Sequence, residues 1–279
     1  MVDRLKNRLC RCYIFLIMLF LYAPILVLFA SSFNDSKSRV SWGGFTFRWY
    51  AGVFSSRSIM KALYTTLALA LLSALIATVI GVVGAIGITA MRQRNYQIVM
   101  AFTNIPMLNA DIVTGITLML WFVRFIPLGF MSVLLAHITF NIPYVILSVI
   151  PKLQQMNISM YEAARDLGAN SVYAFFKIVL PQLFSGILSG FFMAFTISMD
   201  DFVVTYFTKG AGVNTLSTMI YGEMKKGIKP ELYALSTLIF ALVFIILLIV
   251  NRIGGKEEEG RTIRGRIGAG GNDSVREPD

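Results

Sequence analysis

Charged side chains are scarce in this sequence: 14% of its 279 residues are Asp, Glu, Lys or Arg. A soluble domain, whose surface must face water, carries about 25%. Histidine is nearly absent, with His137 alone. That excludes a His-rich metal centre, and no zinc or di-iron ligand set can be assembled around it. The two cysteines, Cys10 and Cys12, stand too close together, beside a basic N-terminus, to form a disulfide framework. A Walker A glycine–lysine loop is missing, so the chain carries no ATP-hydrolysing site of that kind. Nor is any polar segment large enough to capture a solute outside a membrane. Neither a cofactor nor enzymatic activity is expected from this inventory.

What the chain has is apolar sequence: 56% of its residues are hydrophobic and the mean hydropathy is +0.70. These residues come in blocks of roughly 20, enough to cross about 30 Å of hydrocarbon. The sequence therefore predicts an all-α integral membrane protein. Its formal net charge of +10 fits basic residues that flank spans and meet anionic headgroups. No basic stripe with interleaved aromatics lies outside the apolar blocks, so membrane lipid is an expected partner and nucleic acid is not.

Read along the chain, residues 1–12 form an N-terminal tail with Arg4, Lys6, Arg8 and Arg11, and residues 13–250 the transmembrane domain. The first apolar block, Tyr13–Ala30, exceeds a signal-peptide core of about 7–15 residues and ends at a poor cleavage site, so it reads as an uncleaved span. An aromatic-rich connection, Ser31–Lys61, suits the membrane interface. Further spans are expected at about Ala62–Met91, Ile98–Val123 (broken near Pro106), Met131–Ile150, Gln182–Phe207 and Glu231–Val250. Six spans put both termini on one side. The basic N-terminal tail has no counterpart opposite, which makes that side cytoplasmic. The charged, Gly-rich tail 251–279 cannot bury apolar surface and is expected to be disordered.

Between the fourth and fifth spans lies a long polar stretch, 151–181. Glu162-Ala163-Ala164 are good helix formers, and Gly168 can take the left-handed conformation that ends a helix. A second short helix should follow and stop at Pro181. The expected product is a compact helix–turn–helix on the cytoplasmic face, whose small Ala163, Ala164 and Ala169 would let a partner approach closely.

Within this stretch Glu162-Ala163-Ala164, three residues, Gly168, nine residues, Ile178, one residue and Leu180-Pro181 follow one another. The pattern resembles the signature loop of bacterial ABC importer permeases at every fixed position. The resemblance implies a type I ABC importer permease fold with six transmembrane helices in a bacterial cytoplasmic membrane. It also implies a coupling role toward an ATPase dimer for Glu162, Ala163, Ala164, Asp166, Gly168, Ile178, Leu180 and Pro181. A second homologous permease and an extracytoplasmic binding protein complete the implied assembly. Shorter stretches are similar to spermidine/putrescine permeases over about residues 13–250: Tyr22-Ala23-Pro24, Ser32-Phe33-Asn34, Phe47-Arg48-Trp49-Tyr50, Pro106 with Asp111-Ile112-Val113, His137-Ile138-Thr139-Phe140 and Ser198-Met199-Asp200-Asp201. The substrate they imply is a polyamine, bound outside by a polyamine-binding protein.

Asp111 falls inside the expected third span, and Asp200 and Asp201 inside the fifth. A carboxylate at the bilayer centre costs about 2.5–3.5 kcal/mol on insertion scales, so such residues face a cavity or a partner. Spaced carboxylates with aromatics between them suit ammonium groups separated by methylenes. Trp121, Tyr206 and Phe202 could add cation–π contacts of about 0.5–2 kcal/mol each. Adjacent helical residues point about 100° apart, so only one of Asp200 and Asp201 should face a path fully, the other acting as a cap or interhelical bond. Asp111 has its own structural alternative, capping a helix that restarts after Pro106. His137 reads as a hydrogen-bonded packing residue, Gly186 and Gly190 as a helix-packing pair, and Phe191, Phe192 and Phe195 as a lipid-facing or core stripe. Two other classes fit less well. An ion-driven transporter would be expected to show internal repeats and leaves the signature loop unexplained. An acid–base enzyme would need a second catalytic group or a metal.

Overall fold

The computed structural model describes residues 2–36, 41–226 and 229–241. Among them the ordered elements are helices, joined by one isolated antiparallel bridge, Asn34 with Phe45. The chain divides into two units: Arg57–Gly227, and Met1–Ser56 together with Ile228–Asp279.

In the larger unit, α3 (Arg57–Thr89), α6 (Phe130–Gln155) and α9 (Leu180–Asp200) form the packed centre. Lipid tails are as apolar as leucine, so close approach of backbones, rather than hydrophobic burial alone, must hold helices together in a bilayer. Glycine supplies that approach. A Cβ on Gly81 of α3 would lie 2.7 Å from Val145 of α6, and one on Gly190 of α9 would lie 3.2 Å from the Val145 Cα. Gly186, one turn earlier, faces Lys152 and the Ser148 carbonyl. Around these contacts Ala74, Val82, Ala85 and Ile88 of α3 meet Val145, Ile146, Val149 and Ile150 of α6 and Ala194 of α9. Phe191 and Phe195 pack against this cluster, while Phe192 is exposed.

The expected third span is two helices, α4 (Gln93–Leu108) and α5 (Asp111–Phe125), bent by 102°. Pro106 sits inside α4. The interruption falls three residues later, where Asn109 and Ala110 take extended conformations. Proline removes one backbone donor from the last turn of α4, which weakens it and favours a stop just beyond.

Three boundaries differ from the sequence expectation. The polar stretch is shorter than 151–181, because α6 continues through Pro151 to Gln155. It reduces to α7 (Ile158–Asp166) and a turn, after which α8 (Ser171–Ala174), a π-helical turn (Phe175–Val179) and α9 form one helical run, Ser171–Asp200. Pro181 therefore does not stop a helix. It stands in the first turn of α9, directly after the π turn, whose wider spacing accommodates the missing N–H and the ring. Finally, the fifth span ends at Asp200 and resumes, after a break, as α10 (Val203–Thr208). α11 (Leu216–Lys226) follows and is tied to α3 by the Leu216 N–H, which donates to Thr66 Oγ1 at 2.8 Å.

In the smaller unit α1 (Val2–Ser32) leads into a turn organised by Asn34. Its Oδ1 accepts from the N–H groups of Ser36 and Gly43 and its Nδ2 donates to the Ser41 carbonyl. Trp49 of α2 (Arg48–Ser55) donates from Nε1 to the Asn34 carbonyl at 2.8 Å. The described part of the aromatic connection thus holds the hydrogen bonds around Asn34 and a short helix. Among the described residues four helices, Cys10–Ser32, Arg57–Thr89, Phe130–Gln155 and Ser171–Asp200, are long and apolar enough to cross a membrane, and the bent α4–α5 pair makes a fifth if taken as one span. Of the expected sixth span the apolar helix α12 (Pro230–Ala241) is described. Residues 242–250 and the tail 251–279 lie outside the described residues.

Candidate functional site

The three membrane acids converge. A cavity of about 330 Å³ in the larger unit is lined by Asp111, Asp200 and Asp201 together with Pro106, Phe140, Tyr144 and Phe202. It sits where two helical spans are interrupted: α5 begins at Asp111 and α9 ends at Asp200. Both members of the Asp200-Asp201 pair touch it, but only one is free to face it fully, as expected from their helical offset, the other serving as a cap. Asp201 follows the last residue of α9 and has φ −61° and ψ 123°, an extended conformation.

The pair divides by bonding. Asp201 Oδ1 accepts from the Val204 N–H at 3.2 Å, and Oδ2 accepts from the Thr205 N–H and the Thr205 hydroxyl, each at 2.7 Å. These are the free amides at the start of α10, so the carboxylate caps that helix. His137 Nε2 stands 3.4 Å from the same Oδ2 and 2.9 Å from Thr205 Oγ1. Thr205 has a single hydroxyl proton, given to Asp201, so its oxygen accepts from the imidazole N–H. The other ring nitrogen, Nδ1, bonds Ser198 of α9, which in turn bonds Ser73 of α3 at 2.8 Å. His137 is 1% exposed. Asp111 and Asp200 are different: both are exposed, and among the described residues neither side chain has a hydrogen-bonding or ion-pair partner.

Trp121 and Tyr206 lie outside the cavity lining. Trp121 is exposed on α5 against Phe122 and Phe125, and Tyr206 packs on Phe202 and Tyr221. The rings that do line the cavity with Phe202 are Phe140 and Tyr144, neither of which the sequence placed on the path. Their signal was present: His137, Phe140 and Tyr144 follow at i, i+3 and i+7, one face of a helix.

A second feature is the α7 turn. Asn157 caps α7 by accepting the Ser159 N–H at 3.1 Å. At its other end the N–H of Ala169 bonds the Ala164 carbonyl and that of Gly168 bonds the Arg165 carbonyl, with Gly168 at φ +86°. This is the left-handed helix ending expected there. Glu162, Ala163 and Asp166 are exposed and Ala164 is half-buried. Ile158, Met160 and Leu167 add exposed apolar side chains, Leu167 at 89%. Ile178, Leu180 and Pro181 lie instead on the helical run that enters the span.

Comparison with known proteins gives a consistent picture. Residues 77–254 match the family described as binding-protein-dependent transport system inner membrane component. The chain is 36% identical over 244 residues to the spermidine/putrescine transport system permease protein PotC of Escherichia coli K12, covering 87% of this chain and 92% of that protein. It is 36% identical over 245 residues to the PotC permease of Haemophilus influenzae (88% and 95% covered), and 34% identical over 250 residues to the putrescine transport system permease protein PotI of E. coli K12 (87% and 89%). Among solved structures, a bacterial ABC transporter that imports the acidic polysaccharide alginate aligns with a TM-score of 0.69 at 15% identity, over 90% of this chain and 97% of that one. The methionine ABC transporter MetNI aligns with a TM-score of 0.54 at 20% identity, over 71% and 97%. At these identities the structural likeness establishes the fold alone, that of type I ABC importer permeases.

Proposed function

Since the chain belongs to the binding-protein-dependent transport system inner membrane component family, and is thus a multi-pass permease subunit of an ABC importer rather than an enzyme, we propose that its cargo is a polyamine. The observation that carries this reading is the cavity: two carboxylates without hydrogen-bond or ion-pair partners among the described residues, Asp111 and Asp200, beside the rings of Phe140, Tyr144 and Phe202. Unit charges about 4 Å apart attract by roughly 4 kcal/mol at an effective dielectric near 20, before desolvation is subtracted. Aromatic faces suit the ammonium groups and the methylenes between them. The relatives whose names specify spermidine and putrescine support the same substrate class.

The domain runs from 13 to 250, with both termini in the cytoplasm and the α7 turn facing an ATPase dimer. Glu162, Ala163, Asp166 and the apolar Leu167 form the docking face, and Gly168, Ile178, Leu180 and Pro181 carry its movement into α9. A second, homologous permease supplies the other half of the path, and an external protein delivers the polyamine. The test is uptake by proteoliposomes holding the complete importer, with putrescine, spermidine, amino acids and sulfate in competition. ATP-dependent spermidine uptake, displaced by putrescine and not by sulfate, is the expected result. Uptake driven by an ion gradient without the ATPase would refute the assembly, and displacement by amino acids would refute the cargo.

A further inference from the structure

The break between α9 and α10 is held from outside. One imidazole, on α6, bonds Ser198 of α9 on one side of the interruption and Thr205 of α10 on the other, and lies against Asp201 between them. Ser198 extends the cluster to Ser73 of α3. His137, Ser73, Ser198 and Thr205 are each buried. A buried polar group left unpaired loses its full hydration, so such a cluster has one favourable arrangement and resists change at every member. The carboxylate of Asp201 is taken up by three hydrogen bonds and the imidazole, while Asp200, one residue earlier, has none among the described residues.

We infer that His137 is a positioning residue of the transport path: by clasping both sides of the helix break it holds Asp201 as an internal cap and leaves Asp200, with Asp111, as the carboxylates offered to the passing solute. Of the adjacent acids, one recognises cations and the other sets the geometry. Asp200 acts on affinity, through its own charge. Asp201 and His137 act as one unit on the shape of the break, which the solute meets only indirectly. Glutamine at position 137 keeps a donor near the Nε2 position and an acceptor in reach of Ser198. It should therefore replace much of the clasp where alanine cannot.

The transport arm of this inference rests on the polyamine reading, and its stability arm does not. Spermidine uptake kinetics and thermal unfolding are measured on the complete reconstituted importer carrying Asp200→Asn, Asp201→Asn, His137→Ala, His137→Gln, or His137→Ala with Asp201→Asn. Loss of one charge contact corresponds to a KM for spermidine raised about tenfold in Asp200→Asn, with unfolding unchanged. Asp201→Asn and His137→Ala should lower kcat and the unfolding temperature with KM near that of the parent. The double variant should be no worse than either single one, and His137→Gln should recover most of both. A raised KM in Asp201→Asn with none in Asp200→Asn would overturn the division of roles, and additive losses in the double variant would overturn the clasp. If His137→Ala does not assemble, the KM contrast between the two Asp→Asn variants decides. A parent importer that takes up no spermidine sinks the polyamine reading, while the unfolding temperatures still judge the coupling of His137 with Asp201.

Discussion

The helical run Ser171–Asp200 meets an obstacle at each end, and it handles the two in opposite ways. Near its start Pro181 removes a backbone donor, and the chain continues through it by widening one turn into a π turn over Phe175–Val179. At its finish Asp200 and Asp201 interrupt the helix outright, and side chains from α6, α9 and α10 close the gap. The first solution uses backbone only and keeps the helix unbroken from Ser171 into the span. The second uses buried polar side chains and exposes two carboxylates to a cavity. On the reading proposed above, one end passes displacement along and the other holds a shape. Between them Gly186 and Gly190 seat the span on α6.

The strongest way to break this comparison is to unseat the middle. A Cβ at Gly190 already lies 3.2 Å from the Val145 Cα and 3.3 Å from Ser148 Cβ. Gly190→Leu must push α9 off α6, and overpacking of this kind costs about 1–3 kcal/mol or more. We expect loss of assembled complex, measured as co-purification of the ATPase subunit with the permease; full recovery would mean that the two helices slide freely past each other. Next in size is Asp201→Ala at the cavity end. It strips the cap from Val204 and Thr205 and leaves buried His137 without its acid, a loss of about 1–3 kcal/mol. The purified complex should unfold several degrees earlier, whereas Asp111→Ala, which removes no side-chain bond among the described residues, should leave the unfolding temperature in place.

Gly168→Asp probes the other end. Its φ of +86° is unfavourable for a residue with a Cβ, by about 1–2 kcal/mol, yet a Cβ there meets nothing within 4 Å. The turn should distort without unseating any span. Complex should therefore form in normal amount while ATP hydrolysis proceeds without uptake, read by measuring both in the same proteoliposomes. Normal uptake would show that the turn is not the coupling element.

Much of this was legible in the residues, for physical reasons. Apolar blocks announce spans because the bilayer tolerates no exposed backbone polar groups, and α3 and α6 answer to them within a few residues, whereas the Ser171–Asp200 run both begins and ends well before the expected Gln182–Phe207. Gly168 was legible because few other residues occupy its conformation, and Gly186 and Gly190 because small residues at that spacing mark close helix contacts. What sequence concealed were the interruptions. Apolar residues resume directly after Asp200-Asp201 at Phe202, Val203 and Val204, so the block reads as one span, and nothing local says that a histidine 64 positions earlier closes the break. His137 was readable as a satisfied packing residue, but its partner was not. Trp121 and Tyr206 were placed on the path by residue type alone, and the cavity is lined instead by Phe140 and Tyr144, whose helical register with His137 was the available clue. Pro181 misled in the same manner, since a proline reads as a stop unless the preceding turn can widen.

The smallest effect expected, and the finest test of the comparison, belongs to Pro181→Ala. Proline in the first turn of a helix costs little, because the amide it lacks has no partner there in a helix that begins at that point. Here the helix does not begin at Pro181, since the π turn carries it back to Ser171. Alanine restores one N–H and lets Phe175–Val179 relax to ordinary α-helical spacing. Removing an extra residue's worth of turn rotates everything before it, α7 included, by about 100° relative to α9. Stability should change by less than about 1 kcal/mol overall, because alanine is the better helix former and offsets part of what is lost as buried Ala174 turns with the rotated segment. Coupling should suffer more than stability: the exposed face carrying Glu162, Ala163 and Leu167 would be presented in the wrong direction. Uptake reduced at an unchanged unfolding temperature would show that the proline keeps the π turn and the π turn sets the angle of the docking face. Uptake equal to that of the parent would mean that the turn is held by Phe175–Val179 themselves, and that the two ends of the span differ less than their geometry indicates.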